Sequence, residues 1–200
     1  MSLLVKICGL MTEEAIEAAA CSGADAVGFV FHEASPRNLS PGRAAILSAL
    51  LPRGVARVAV TSHPPRDLVD RVLDAFTPDV WQSDATDMEA LELPAGIEHW
   101  PVYRNAAPAN SLPGRLLFDA STSGAGLRAD WQCAVELARR SELVLAGGLD
   151  ASNVGQAIAS VRPFGVDVSS GVEREPGVKD PALIRRFIFA ARRASQAIRA

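Results

Sequence analysis

Leu3-Leu4-Val5-Lys6-Ile7-Cys8-Gly9-Leu10-Met11-Thr12 opens the chain with an apolar run that ends in a thiol and a glycine just ahead of a helix start. Side chains alternate along a strand, so Val5 and Ile7 face one way and Lys6 and Cys8 the other. The same unit, an apolar run followed by a helical stretch, recurs. After Leu3–Cys8 come Asp25–Phe31, Ala56–Thr61, Asp79–Gln82, Ile97–Val102, Arg115–Asp119, Glu142–Ala146 and Phe164–Val168, eight candidate strands in all. The runs are continuous rather than alternating, as expected when both faces of a parallel sheet are covered.

Helices are expected to start near Thr12, Pro41, Pro65, Ala85, Trp131, Asp150 and Asp180. At the last of these, Asp180 suits a cap and Pro181 the first turn, while Leu183, Ile184, Phe187, Ile188 and Ala191 make one apolar stripe. Arg104–Pro113, rich in Ala, Asn and Pro, reads as a loop in place of the helix after strand five. The repeat predicts an α/β chain with an all-parallel sheet and helices outside. Eight strands favour closure into a (β/α)8 TIM barrel over an open doubly wound sheet.

With 200 residues, 48% of them hydrophobic, the chain is large enough for one buried core, and no compositional shift divides it, so residues 1–200 read as a single domain. A net charge of −3 without runs of like charge disfavours a nucleic-acid or membrane partner and favours a small-molecule ligand. Cys8, Cys21 and Cys133 are widely spaced, which indicates neither a disulfide framework nor a zinc site and fits a reducing cytoplasm. His32, His63 and His99 lack metal-ligand spacing, and no metal site is expected. Neither a signal peptide nor a membrane span is visible, and the pattern leaves monomer and homodimer open.

Cys8 sits where such folds keep their chemistry, at the C-terminal end of a strand. An unpaired cysteine is commonly a small buried hydrophobe, so Cys8 needs partners to count as catalytic. Lys6, on the same face, is the first, either lowering the thiol pKa or forming a structural ion pair. Asp119, ending strand six, occupies the analogous position and is the leading acid, with Asp167 a second carboxylate near a strand end. Gly147 and Gly148 after strand seven, and Ser170 and Gly171 after strand eight, place small residues where barrels form phosphate sites. There is no Gly-x-Gly-x-x-Gly or Gly-Lys-Ser/Thr, so a phosphorylated metabolite is preferred to a dinucleotide or nucleoside triphosphate. Arg37, in the loop after strand two, offers a planar fork for a carboxylate.

Together these residues resemble the phosphoribosylanthranilate isomerase family. The likeness runs through Val5-Lys6-Ile7-Cys8-Gly9-Leu10, Gly23–Phe31, Ser35-Pro36-Arg37, Leu145–Leu149, Arg162–Glu173 and Pro176-Gly177-Val178-Lys179-Asp180. It implies a (β/α)8 barrel that carries out the Amadori rearrangement of N-(5-phosphoribosyl)anthranilate without metal or organic cofactor. It further implies Asp119 as the acid at the furanose ring oxygen, Cys8 as the base at C2, Arg37 on the anthranilate carboxylate, and Gly147, Gly148, Ser170 and Gly171 on the phosphate. The chain departs from the family pattern at Gln82-Ser83-Asp84-Ala85, where Gln-Leu/Phe-His-Gly is usual, at Asn38, where an aromatic is common, and in a shorter loop after Asp119. Other phosphate-binding barrels, such as a sugar-phosphate epimerase or indole-glycerol-phosphate synthase, and a binding module without chemistry are the competing readings.

Overall fold

The computed structural model describes residues 3–104, 111–120 and 126–199. Its eight parallel strands are β1 (Leu4–Cys8), β2 (Ala26–Val30), β3 (Ala56–Val60), β4 (Val80–Asp84), β5 (Glu98–Arg104), β6 (Arg115–Asp119), β7 (Glu142–Leu145) and β8 (Gly165–Val168). Each pairs with the next in sequence, and β1 pairs with β8, so the sheet closes into a barrel and the open doubly wound alternative is excluded. The helices are α1 (Glu13–Cys21), α2 (Pro41–Ser48), α3 (Arg66–Ala75), the single turn α4 (Ala85–Met88), α5 (Trp131–Ala138), α6 (Val154–Val161) and α7 (Pro181–Arg199).

Alternation along each strand builds two cores. Val5 and Ile7 of β1, Val27 and Phe29 of β2 and Phe118 of β6 point outward and pack with helix residues such as Ile16, Leu47, Val72, Ile158 and Phe187. Ala26, Val58, Val80, Trp100, Leu117 and Val144 point inward and fill the barrel. This filled interior is the layered core expected of such barrels. Toward the C-terminal ends of the strands it becomes polar, with Lys6, Gln82, Asp119 and Asp167 all buried.

That change of polarity explains where the strand ends were under-read. β4 continues through Ser83 and Asp84, and β5 through Tyr103 and Arg104. An apolar-run criterion stops at the first polar residue, although a strand lining the barrel mouth can carry charge.

Asp180 caps α7, its Oδ1 accepting from Ala182 N at 2.7 Å and Leu183 N at 3.3 Å. α6 starts later than expected, because Asp150 and Asn153 bond reciprocally and hold a turn before Val154: Asp150 N donates to Asn153 Oδ1 at 3.0 Å, and Asn153 N to Asp150 Oδ1 at 3.1 Å. Such local side-chain bonds compete with helix formation. Of the expected loop after strand five, residues 105–110 lie outside the described residues, while Ser111–Gly114 is not helical.

A feature absent from the sequence reading follows β8: a 3-10 turn (Ser170–Val172) and a short antiparallel hairpin, β9 (Glu173–Glu175) and β10 (Val178–Lys179). Its signal was the Pro176-Gly177 pair, a turn dipeptide between two short charged segments. No helix among the described residues is long and apolar enough to cross a membrane.

Candidate active site

β1 delivers Lys6 and Cys8 to the inner face of the barrel, and β8 delivers Asp167, the register partner of Lys6. Lys6 is fully buried, and its Nζ donates to Asp167 Oδ1 at 2.9 Å. Burial works against its charge, but Asp167 and the neighbouring Cys8 outweigh that, and its pKa is raised overall.

For Cys8 the balance falls the other way. Burial pushes the thiol up, Lys6 pulls it down, Asp167 pushes it up again and Lys179 pulls it down, leaving the pKa above the ordinary thiol value. The expectation that Lys6 lowers the thiol pKa is therefore corrected: Lys6 offsets part of the desolvation without reversing it.

Space for the sulfur comes from Gly28, the β2 register partner of Cys8. A Cβ there would lie 2.8 Å from Cys8 Sγ and 3.3 Å from Lys6 Cε. The strand carries glycine at this position because two long side chains fill the room a third would need.

β6 ends on Asp119, which shares the inward face with Leu117. The carboxylate is buried and accepts from Ala120 N at 2.8 Å. Ser121 and Ser123, weighed as its turn partners, lie outside the described residues. Asp119, Asp167, Gly147, Gly148 and Ser170 line one cleft at the C-terminal end of the barrel. Thus a carboxylate and the small-residue loops share a cavity whose floor meets the Lys6–Asp167 pair.

The loop glycines have a packing role beside any ligand role. A Cβ on Gly147 (φ +83°) would stand 2.7 Å from Ala120 N, and one on Gly171 would stand 1.9 Å from the Leu149 carbonyl oxygen. Gly147 and Gly171 thus let the loops after β6, β7 and β8 touch backbone to backbone. That keeps their backbone donors close together, as an anion cradle requires.

Arg37 is buried, and its fork is engaged: Nε donates to Glu173 Oε1 at 2.7 Å and Nη2 to Glu173 Oε2 at 2.8 Å. The expected carboxylate clamp therefore already holds a carboxylate of the protein itself along one edge. Lys179 Nζ also donates to Glu173 Oε1, at 2.6 Å, and to the Ser169 carbonyl oxygen, at 2.9 Å. Burial pushes the Glu173 carboxyl up, but the bonds from Arg37 and Lys179 win and hold it below the usual range. Glu173 and Lys179 were quoted in the sequence motifs without a role; their charge, flanking a turn after the last strand, was the available signal.

On the opposite rim, His63 Nδ1 lies 2.7 Å from Asp87 Oδ1, and His63 Nε2 lies 3.8 Å from Asp84 Oδ2. The sequence placed no metal here, yet these three residues bring their ligand atoms within 4.8 Å of one another. Asp84 also pairs with Arg104 and accepts from Ser62 Oγ, and Asp87 accepts from Ser83 Oγ. The group is a hydrogen-bonded ion-pair cluster covering the β3–β4 rim, where the residues Ser83 and Asp84 replace the usual family pattern.

A closed barrel with a thiol, two buried carboxylates and glycine-linked loops at the C-terminal mouth defines an α/β-barrel enzyme for a small phosphorylated molecule. The family model described as N-(5'-phosphoribosyl)anthranilate (PRA) isomerase matches residues 5–190. A protein named N-(5'-phosphoribosyl)anthranilate isomerase from Chelativorans sp. (strain BNC1) is 39% identical over 218 residues, covering 97% of this chain and 98% of its own. TrpF from Jonesia denitrificans superposes with a TM-score of 0.83 at 34% identity, over 97% of this chain and 98% of that one. A phosphoribosyl anthranilate isomerase solved with reduced 1-(o-carboxyphenylamino)-1-deoxyribulose 5-phosphate gives 0.76 at 32% identity, over 94% and 98%. The chain belongs to the N-(5'-phosphoribosyl)anthranilate isomerase family and is an enzyme of tryptophan biosynthesis.

Proposed function

We propose that this chain isomerises N-(5'-phosphoribosyl)anthranilate to 1-(2-carboxyphenylamino)-1-deoxyribulose 5-phosphate, with Cys8 and Asp119 as its proton-transfer pair. The observation that supports the assignment is that both groups are buried at strand ends, Asp119 lining the cleft with the loops after β7 and β8 and Cys8 against Lys6, whose partner Asp167 lines the same cleft. The backbone around Gly147, Gly148, Ser170 and Gly171 holds the phosphate, remote from the reacting carbons. That anchoring converts proton transfer into an intramolecular event.

Asp119, as the acid, gives its proton to the furanose ring oxygen as the C1–O bond breaks, and the anilino nitrogen takes up the positive charge as a Schiff base. Cys8, as thiolate, then removes the proton from C2, leaving an enolamine that tautomerises to the amino-ketose. The Lys6 ammonium stabilises that thiolate, and Asp167 holds the ammonium in place. Arg37 meets the anthranilate carboxylate. Every step is a proton transfer between the substrate and these groups or a bond change within the substrate, so no covalent intermediate with the sulfur is required.

The test is a fluorescence assay of substrate loss with wild type, Cys8→Ser and Asp119→Asn, alongside binding of the reduced amino-ketose. Each variant should lose about 10²- to 10⁴-fold in kcat, the range for one acid or base, while still binding the analogue. Undiminished turnover in either would remove that residue from its role, and an inactive wild type would favour a binding module.

A further inference from the structure

We infer that Glu173 is the positioning residue of the substrate-carboxylate site, fixing Arg37 in the orientation that recognises the anthranilate carboxylate; this rests on the assignment of Arg37 given above. Glu173 is almost fully buried, with 4% of its side chain exposed, and it binds Arg37 through two separate nitrogens. A guanidinium is a rigid plane, so bonds at Nε and Nη2 together set both its tilt and its rotation.

The carboxylate is itself held by Lys179. Lys179 anchors Oε1 and ties it to the Ser169 carbonyl oxygen, while the Ser169 hydroxyl donates to the Cys8 carbonyl oxygen at 3.2 Å. The hairpin that carries Glu173 and Lys179 also presses on the Arg37 loop at its turn, where a Cβ on Gly177 would meet the Pro36 carbonyl oxygen at 2.6 Å. On its other side the stem of Arg37 lies on Gly9, where a Cβ would come within 2.7 Å of Arg37 Cδ. The clamp and the strand end bearing the thiol are thus one bonded unit built from the first, second and last βα loops.

Charge supports the same role. Arg37 and Lys179, both buried, share the Glu173 carboxylate between them. Without Glu173 the same cations would repel each other, and Arg37 would lose the partner that defines its plane.

The experiment compares N-(5-phosphoribosyl)anthranilate with the corresponding aniline adduct, which lacks the carboxylate, on wild type, Arg37→Gln and Glu173→Gln. Wild type should prefer the carboxylate substrate. Glu173→Gln should raise KM for that substrate about 10-fold or more with kcat changed far less, and leave the aniline adduct unaffected. If Arg37→Gln abolishes the preference and Glu173→Gln does not, the positioning role of Glu173 is wrong and the clamp stands. If Arg37→Gln also keeps the preference, the clamp is wrong and the inference falls with it. Equal losses on both substrates for Glu173→Gln would show a structural role and likewise overturn it.

Discussion

Replacing Gly28 by alanine displaces the thiol without removing any group assigned to the chemistry. The added Cβ would sit 2.8 Å from Cys8 Sγ and 3.2 Å from Cys8 Cα, where ordinary contact begins near 3.4 Å. The sulfur must therefore retreat by about 0.6 Å, and the facing backbone by a few tenths, since strand pairing fixes both Cα atoms. A displacement near 1 Å of a reacting group can cost about 10²-fold. We therefore expect kcat to fall about 10- to 100-fold, or roughly 1.4–2.7 kcal/mol of barrier. Overpacking should cost a further 1–3 kcal/mol or so of fold stability. Substrate fluorescence decay gives kcat, affinity for the reduced amino-ketose reports the phosphate loops, and thermal melting separates misplacement from unfolding. Folded Gly28→Ala protein with kcat within about two-fold of wild type would refute the claim that the position of this sulfur sets the rate.

Lys6→Met leaves Asp167 as an uncompensated buried charge, which costs about 3–5 kcal/mol; at 2–4 °C per kcal/mol the melting point should drop by roughly 6–20 °C. Lys6→Met combined with Asp167→Asn should recover part of that loss, and full additivity of the two changes would deny the pairing. Because burial holds the Cys8 pKa above the ordinary thiol value, the thiolate fraction of the free enzyme grows as pH rises through and beyond about 8.5. The prediction is that alkylation of Cys8, measured in a Cys21→Ser, Cys133→Ser background, still accelerates at that pH; a rate already level below pH 7 would mean the thiol is ionised in the resting enzyme.

The architecture was legible because the outward faces of β1, β2, β6, β7 and β8 are apolar. Val5, Ile7, Val27, Phe29 and Phe118 must cover helices, so each of these strands announces itself as an apolar run whatever its inward face does. The inward face is where reading faltered. Asp84 and Arg104 extend the inward faces of β4 and β5 into the mouth, and no propensity argument expects charge inside a barrel. Cys8, Asp119 and the loop glycines could be singled out as candidates from their place at strand ends, and Arg37 from its place in the loop after β2; the structure buries Cys8, Asp119 and Arg37. Glu173 and Lys179 could not be singled out, because a buried cation–carboxylate–cation group joins residues 37 and 173 across the fold, and sequence separation hides such pairs. The fate of the thiol pKa was equally hidden, since it depends on how far burial outweighs one neighbouring ammonium.

The bond between Lys6 and Asp167 spans 161 positions of sequence and crosses the seam where the first strand meets the last. A nascent chain emerging N-terminus first holds Cys8 from the beginning, yet Asp167 and Lys179 arrive only near the end of synthesis. Until the ring shuts, the thiol lacks the cleft that isolates it and the charges that would steady its anion. Under the proposed roles, catalytic competence is thereby tied to completion of the barrel, and a truncated or half-assembled chain carries Cys8 without the cleft and the charges that surround it.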